Sequence, residues 1–263
     1  MKLALRLFIL LFLVSCAKVP ITGRRQLNML PESQLMALSL TEYQSFLSAN
    51  KTLPVASSSD AKSITNVGNK IAAAVTTYLK KHQQTKRIKD FKWEFNLVED
   101  NTVNAWCMPG GKVVFYTGIL PITKDEKGIA VVMGHEIAHA IARHGNERMS
   151  QGLALQGGGI ALSLALSDKP ELTQNLFQQA YGLGGQLGML KYSRSHDSEA
   201  DKMGLVFMAM AGYDPREAVE FWKRMAAQGG QKPPEFLSTH PSDDTRIKDL
   251  EDFMPEALKY YKP

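Results

Sequence analysis

The chain has 263 residues, 44% hydrophobic and 22% charged, with a formal net charge of +5. That composition excludes a disordered or fibrous polypeptide and allows one sizeable domain with a small extension. Lys2 and Arg6 lie in a segment expected to be removed, and the +3 left without them is too small to argue for nucleic acid as a partner.

Lys2 and Arg6 flank the start of an apolar run, Leu7 to Val14, of secretory length. The run is shorter than the roughly 20 residues of a membrane-spanning helix. It ends in Leu13-Val14-Ser15-Cys16, which resembles the lipobox of bacterial lipoproteins. Residues 1–15 are therefore expected to be a lipoprotein signal peptide and Cys16 to carry the lipid; the alternative is a plain signal peptide with an incidental cysteine. Ala17 after the cysteine resembles an outer-membrane sorting signal. Cys107, the other cysteine, then has no partner, so no disulfide is expected and Cys107 reads as a small strand residue.

Residues 16–59 read as a tether and an N-terminal helix, and 60–263 as one domain. Pro20, Gly23, Arg24 and Arg25 interrupt any periodicity between Cys16 and Leu30. A helix is expected from Pro31-Glu32-Ser33 to about Asn50. Asp60 is expected to cap a second helix through Lys81, with Ile64, Val67, Ile71, Val75 and Leu79 as its apolar stripe. Phe91 to Leu97 alternates like a half-buried strand. Asn104 to Met108 and Lys112 to Tyr116 flank a Pro109-Gly110-Gly111 turn, so a small antiparallel sheet is expected before the main helix. From Asp125 onward the pattern is helical, with breaks at residues 157–159, 182–188, Gly212 and Pro233-Pro234. The class is α+β. Leu153 to Leu166 is too short and too rich in glycine for a membrane span.

The chemistry centres on His135-Glu136-Ile137-Ala138-His139. Residues four apart share a helix face, so both histidines can reach one ion, and Glu136 is placed to hold a water and take its proton. The competing reading is a buried helix with two hydrogen-bonded histidines. Gly134 allows close packing beside the first ligand. A catalytic zinc needs three protein ligands and one open position. The third is sought in Tyr192 to Gly204, where Asp197 and Asp201 share a face at about 100° per residue and Glu199 points nearly the other way.

The chain resembles the gluzincin peptidases grouped with the CAAX prenyl protease, the HtpX heat-shock peptidase and the Oma-type peptidases, and within them the lipoprotein branch. The resemblance rests on Val19 to Arg25, Asn104-Ala105-Trp106, Pro109-Gly110-Gly111, His135 to Arg148 and Tyr192 to Gly204. It also takes in Ala211 to Pro215, Phe221-Trp222, His240-Pro241 and Arg246. It implies one Zn²⁺ per chain held by His135, His139 and a carboxylate four residues before Asp201. That position is Asp197, where the family has a glutamate, with Glu199 as fallback. It further implies that Asp201 orients a zinc-bound histidine, with Arg246 in support unless it is a surface arginine. His240 would lie over the site, either stabilising an oxyanion or capping the zinc; the alternative is a loop histidine. His144 is expected to make a structural hydrogen bond, and His196 and His82 are given no role.

Asn104-Ala105-Trp106 resembles the edge strand that receives an extended peptide. The implied function is a zinc metalloendopeptidase of the bacterial cell envelope. It would be lipid-anchored, facing the periplasm from the outer membrane, and act on unfolded or misassembled envelope proteins in quality control. Two alternatives remain: a non-catalytic envelope chaperone or assembly lipoprotein of the same fold, and a zinc hydrolase acting on a non-peptide bond. A membrane-embedded prenyl-protein protease is excluded, because no long apolar span follows residue 15.

Overall fold

The computed structural model describes residues 16–155, 171, 194–228 and 244–262. The breaks expected at 157–159, 182–188 and Pro233-Pro234 fall outside them, as does His240.

Residues 16–27 are a short hairpin, not a patternless tether. β1 (Cys16–Lys18) pairs antiparallel with β2 (Arg25–Leu27). Three-residue strands are too short to show alternation, and the turn between them uses positive φ at both Ile21 and Gly23. α1 (Glu32–Ala49) follows, then β3 (Thr52–Leu53) and α2 (Ser59–Lys81). The cap of α2 is Ser58, whose Oγ accepts from Ala61 N at 3.2 Å. Asp60, expected in that place, is already inside the first turn; a cap needs the extended backbone that Ser58 has (φ −119°, ψ 120°).

β4 (Glu94–Val98), β5 (Ala105–Met108) and β6 (Lys112–Tyr116) join β3 in one sheet of order β3-β4-β6-β5. The sheet is mixed, not antiparallel: β5 and β6 form the expected hairpin, but β4 runs parallel to β6. The strand expected from Phe91 begins only at Glu94. The alternation before it reflects packing on the hairpin turn: a Cβ on Gly111 would stand 2.7 Å from Trp93.

The pleat sorts the strand residues into two cores. Ala105, Cys107, Val113 and Phe115 face the main core beneath α2, while Trp106, Met108 and Val114 join Leu35 and Tyr43 of α1 on the other face. Both faces are covered, so even β5, at the end of the sheet, is buried along its length.

After a single helical turn, Leu120–Thr123, comes α3 (Glu126–Ala142). Asp125 caps it, accepting from Lys127 N at 2.8 Å and Gly128 N at 3.1 Å. Gly128 to Ala142 are all buried, the signature of a central helix with no solvent face. Arg143 ends it in the left-handed conformation (φ 60°), and α4 (His144–Leu155) starts at the next residue. α5 (Arg194–Met210), α6 (Glu217–Ala227) and α7 (Asp244–Leu258) complete the described chain. Gly212 breaks the helix as expected, at φ 86°, while Tyr213 N returns to Met208 O at 2.9 Å.

Helices α3 and α5 touch backbone to backbone. A Cβ on Gly134 would lie 2.9 Å from Gly204 O, and one on Gly204 would lie 2.9 Å from His135 N. This contact brings the acidic start of α5 beside the histidines of α3. Among the described residues no helix is long and apolar enough to cross a membrane.

Candidate metal centre

His135 and His139 stand one turn apart on α3, and both are 2% exposed. Their Nε2 atoms are 3.0 Å apart. Asp197 Oδ1, from α5, lies 3.9 Å from His135 Nε2 and 3.7 Å from His139 Nε2. Zinc bonded at about 2.0–2.2 Å in a tetrahedron sets its ligands roughly 3.3–3.6 Å apart. The three observed separations bracket that range, so two imidazoles and one carboxylate fit a single ion. Among the described residues this is the one group of three or more His, Cys, Asp or Glu side chains converging in that way. The close α3–α5 contact brings Asp197 within 3.9 Å of both histidines.

Asp201, one turn further along α5, accepts from His135 Nδ1–H at 2.8 Å, which leaves Nε2 with its lone pair toward the cluster. Arg246 of α7 clamps the same carboxylate through two bonds, Nε to Oδ2 at 2.8 Å and Nη2 to Oδ1 at 2.7 Å. Its guanidinium lies 3.3 Å over the Trp222 ring. Arg246 is buried and not a surface residue. Burial opposes the Asp201 anion, yet Arg246 and His135 hold its carboxyl at about 2.

Glu136 is also 2% exposed. Burial pushes its carboxyl well above the ordinary range and the neighbouring Asp197 charge adds to this, while Arg246 and the Cys107 backbone N–H pull it back. The Cys107 contact ties Glu136 to β5, the end strand of the sheet. Asn104 lies just before β5 and accepts from Tyr116 N at 3.1 Å. Trp106 donates its indole N–H to Tyr116 Oη at 3.2 Å, on the α1 side. Cys107 is buried and its thiol is pushed up by burial, so it is a poor nucleophile.

Glu199 is directed away from the cluster. Its Oε2 accepts from His144 Nε2 at 2.9 Å and from Arg24 Nε at 2.8 Å, and Thr22 Oγ1 donates to its Oε1. His144 Nδ1 stands 2.9 Å from His139 Nδ1, so the expected structural hydrogen bond of His144 goes to a member of the cluster. Burial pushes the His144 imidazole down to about 4. His196, which carried no expected role, stacks on His144 with ring centroids 4.4 Å apart and bonds Glu147 Oε2 at 3.0 Å. His82 stacks on Tyr78 and caps the end of α2 through its backbone N–H, away from the cluster. The signal for this layer was present in the sequence: His144/Glu147 and His196/Glu199 repeat one i, i+3 spacing.

The sequence profile of peptidase family M48 matches residues 68–254, well over half of the chain. The chain belongs to peptidase family M48. Among its relatives, the mitochondrial metalloendopeptidase OMA1 of Schizosaccharomyces pombe is 38% identical over 185 residues, which are 70% of this chain and 53% of that protein. The human mitochondrial metalloendopeptidase OMA1 is 30% identical over 260 residues, covering 96% of this chain and 48% of its own. The beta-barrel assembly-enhancing protease of Yersinia pestis is 32% identical over 162 residues, 60% of this chain and 33% of its own. The chain thus spans about half the length of the OMA1 relatives and about a third of the Yersinia protein.

Proposed function

We propose that this M48 chain is a zinc-dependent endopeptidase of the bacterial cell envelope, carried on a lipid at Cys16. The observation that carries the reading is the convergence of His135, His139 and Asp197 on one point, with buried Glu136 beside them and tied to β5. His135, His139 and Asp197 would hold the ion, Asp201 orients His135, and Glu199, bonded to His144 and Arg24, would take no part in binding it. When bound, the ion supplies Lewis acidity to a peptide carbonyl and to a water. Glu136 would take that water's proton as general base and return it to the leaving amine as general acid. An extended peptide would lie along Asn104-Ala105-Trp106 as an added strand, since among the described residues β5 ends the sheet. His240, which lies outside the described residues, would either cap the ion and hold the enzyme latent or stabilise the oxyanion, the alternative being a loop histidine.

The apolar run Leu7 to Val14 and the Leu-Val-Ser-Cys sequence support export and lipidation. With Ala17 they favour an outer-membrane anchor facing the periplasm. On this reading its substrates are unfolded or misassembled envelope proteins, in keeping with the name of the Yersinia relative, a beta-barrel assembly-enhancing protease.

Removal and return of the metal tests the reading. Chelator-treated protein is expected to stop cleaving an unfolded polypeptide and to recover on addition of one equivalent of zinc. A zinc-loaded chain that cleaves no unfolded polypeptide, either as wild type or as His240→Ala, contradicts it.

A further inference from the structure

The hairpin β1–β2 lies outside the segment matched by the family profile, yet its turn reaches the layer behind His139. Arg24 bridges two buried carboxylates from different helices. Nη1 and Nη2 donate to Glu147 Oε1 and Oε2 at 2.8 and 2.7 Å, and Nε donates to Glu199 Oε2 at 2.8 Å. Thr22 adds its hydroxyl to Glu199, and Gln26 donates to Glu147 Oε2 at 3.3 Å and to Ala142 O at 2.6 Å. Glu147 and Glu199 are 4% and 5% exposed and His144 is fully buried, so Arg24, its side chain 32% exposed, closes a buried polar layer from its outer side.

We infer that Arg24 is a positioning residue for His139, acting through Glu199 and His144, so that the N-terminal hairpin belongs to the metal centre. The inference rests on the reading that His135, His139 and Asp197 hold the ion. The proton positions follow from the distances. Glu199 fixed by Arg24 and Thr22 is an acceptor, so the His144 proton sits on Nε2, 2.9 Å away. His144 Nδ1 is then an acceptor, and the proton on His139 must sit on Nδ1, 2.9 Å from it. His139 Nε2 is left as a lone pair facing His135 and Asp197, the tautomer a metal requires. Without Arg24, two buried carboxylates face each other without the guanidinium that bridges them, and Glu199 can turn away from His144. His139 would then be free to carry its proton on Nε2.

The test measures zinc affinity of the purified full chain by chelator competition, with thermal melting of the metal-free protein alongside. Nitrogen-15 spectra report which nitrogen of His139 is protonated. Arg24→Ala is expected to weaken zinc binding by about 10–100-fold, as loss of such supporting partners does, and to abolish the single Nδ1–H tautomer. Arg24→Lys, which keeps the charge but not the fork, recovers part of the affinity. Arg25→Ala, at the exposed neighbour, leaves both readouts unchanged. Should Arg24→Ala not fold, Thr22→Val decides, with a smaller loss in the same direction. Wild-type affinity in folded Arg24→Ala, or in Thr22→Val when the first variant does not fold, overturns the positioning role. A wild-type chain that binds no zinc overturns the metal reading itself.

Discussion

Glu136→Gln is expected to lower the cleavage of an unfolded polypeptide by about 10²–10⁴-fold, the usual worth of a positioned general acid–base. The zinc content should stay at that of the wild type. The substitution is nearly isosteric and keeps an oxygen for the Cys107 backbone N–H, so the buried pocket is preserved. Only the capacity to take and return a proton is lost. His135, His139 and Asp197 are untouched, which separates the chemistry from metal binding. The measurement is the initial rate at equal zinc content for both proteins. A chaperone of the same fold would be indifferent to the change, so an unaltered function in Glu136→Gln would favour that alternative.

Arg246→Ala is expected to cost about 3–5 kcal/mol of stability, the usual consequence of removing one partner of a buried ion pair. Asp201, 7% exposed in the intact protein, would be left charged without its two-point clamp, and Trp222 would lose the guanidinium stacked on it. His135, oriented by the same carboxylate, would lose its fixed partner as well. Denaturant unfolding of the metal-free protein measures the loss. Lys223→Ala provides the comparison, because its pair with Glu220 is about half exposed at both ends and should be worth little. A loss for Arg246→Ala no greater than for Lys223→Ala would mean that the clamp carries no weight.

The parts of the molecule written in local pattern could be read from the residues. The i, i+4 spacing of His135 and His139, the Asp197/Asp201 face and the opposite direction of Glu199 all follow from helical periodicity. The β5–β6 hairpin follows from its Pro-Gly-Gly turn, and the end of α5 from Gly212. What could not be read depends on partners distant in sequence. The parallel pairing of β4 with β6 is a choice between strands, and strand composition does not state direction. Ser58 and Asp60 are both acceptable caps, and only the backbone angle separates them. The hairpin at residues 16–27 has too few residues for a period. Its role arises because Thr22 and Arg24 meet Glu147 and Glu199, over a hundred residues away. The partners of the hydrogen bond expected of His144 could not be named, and His196 looked idle, for the same reason: their partners lie on other helices.

The most direct test of the metal centre is anomalous X-ray scattering at the zinc edge from crystals of the zinc-loaded chain. A single peak is expected at about 2.0–2.2 Å from His135 Nε2, His139 Nε2 and Asp197 Oδ1, with Glu199 still bonded to His144 and Arg24. A peak coordinated by Glu199 in place of Asp197, or no peak between the two histidines, would contradict the account.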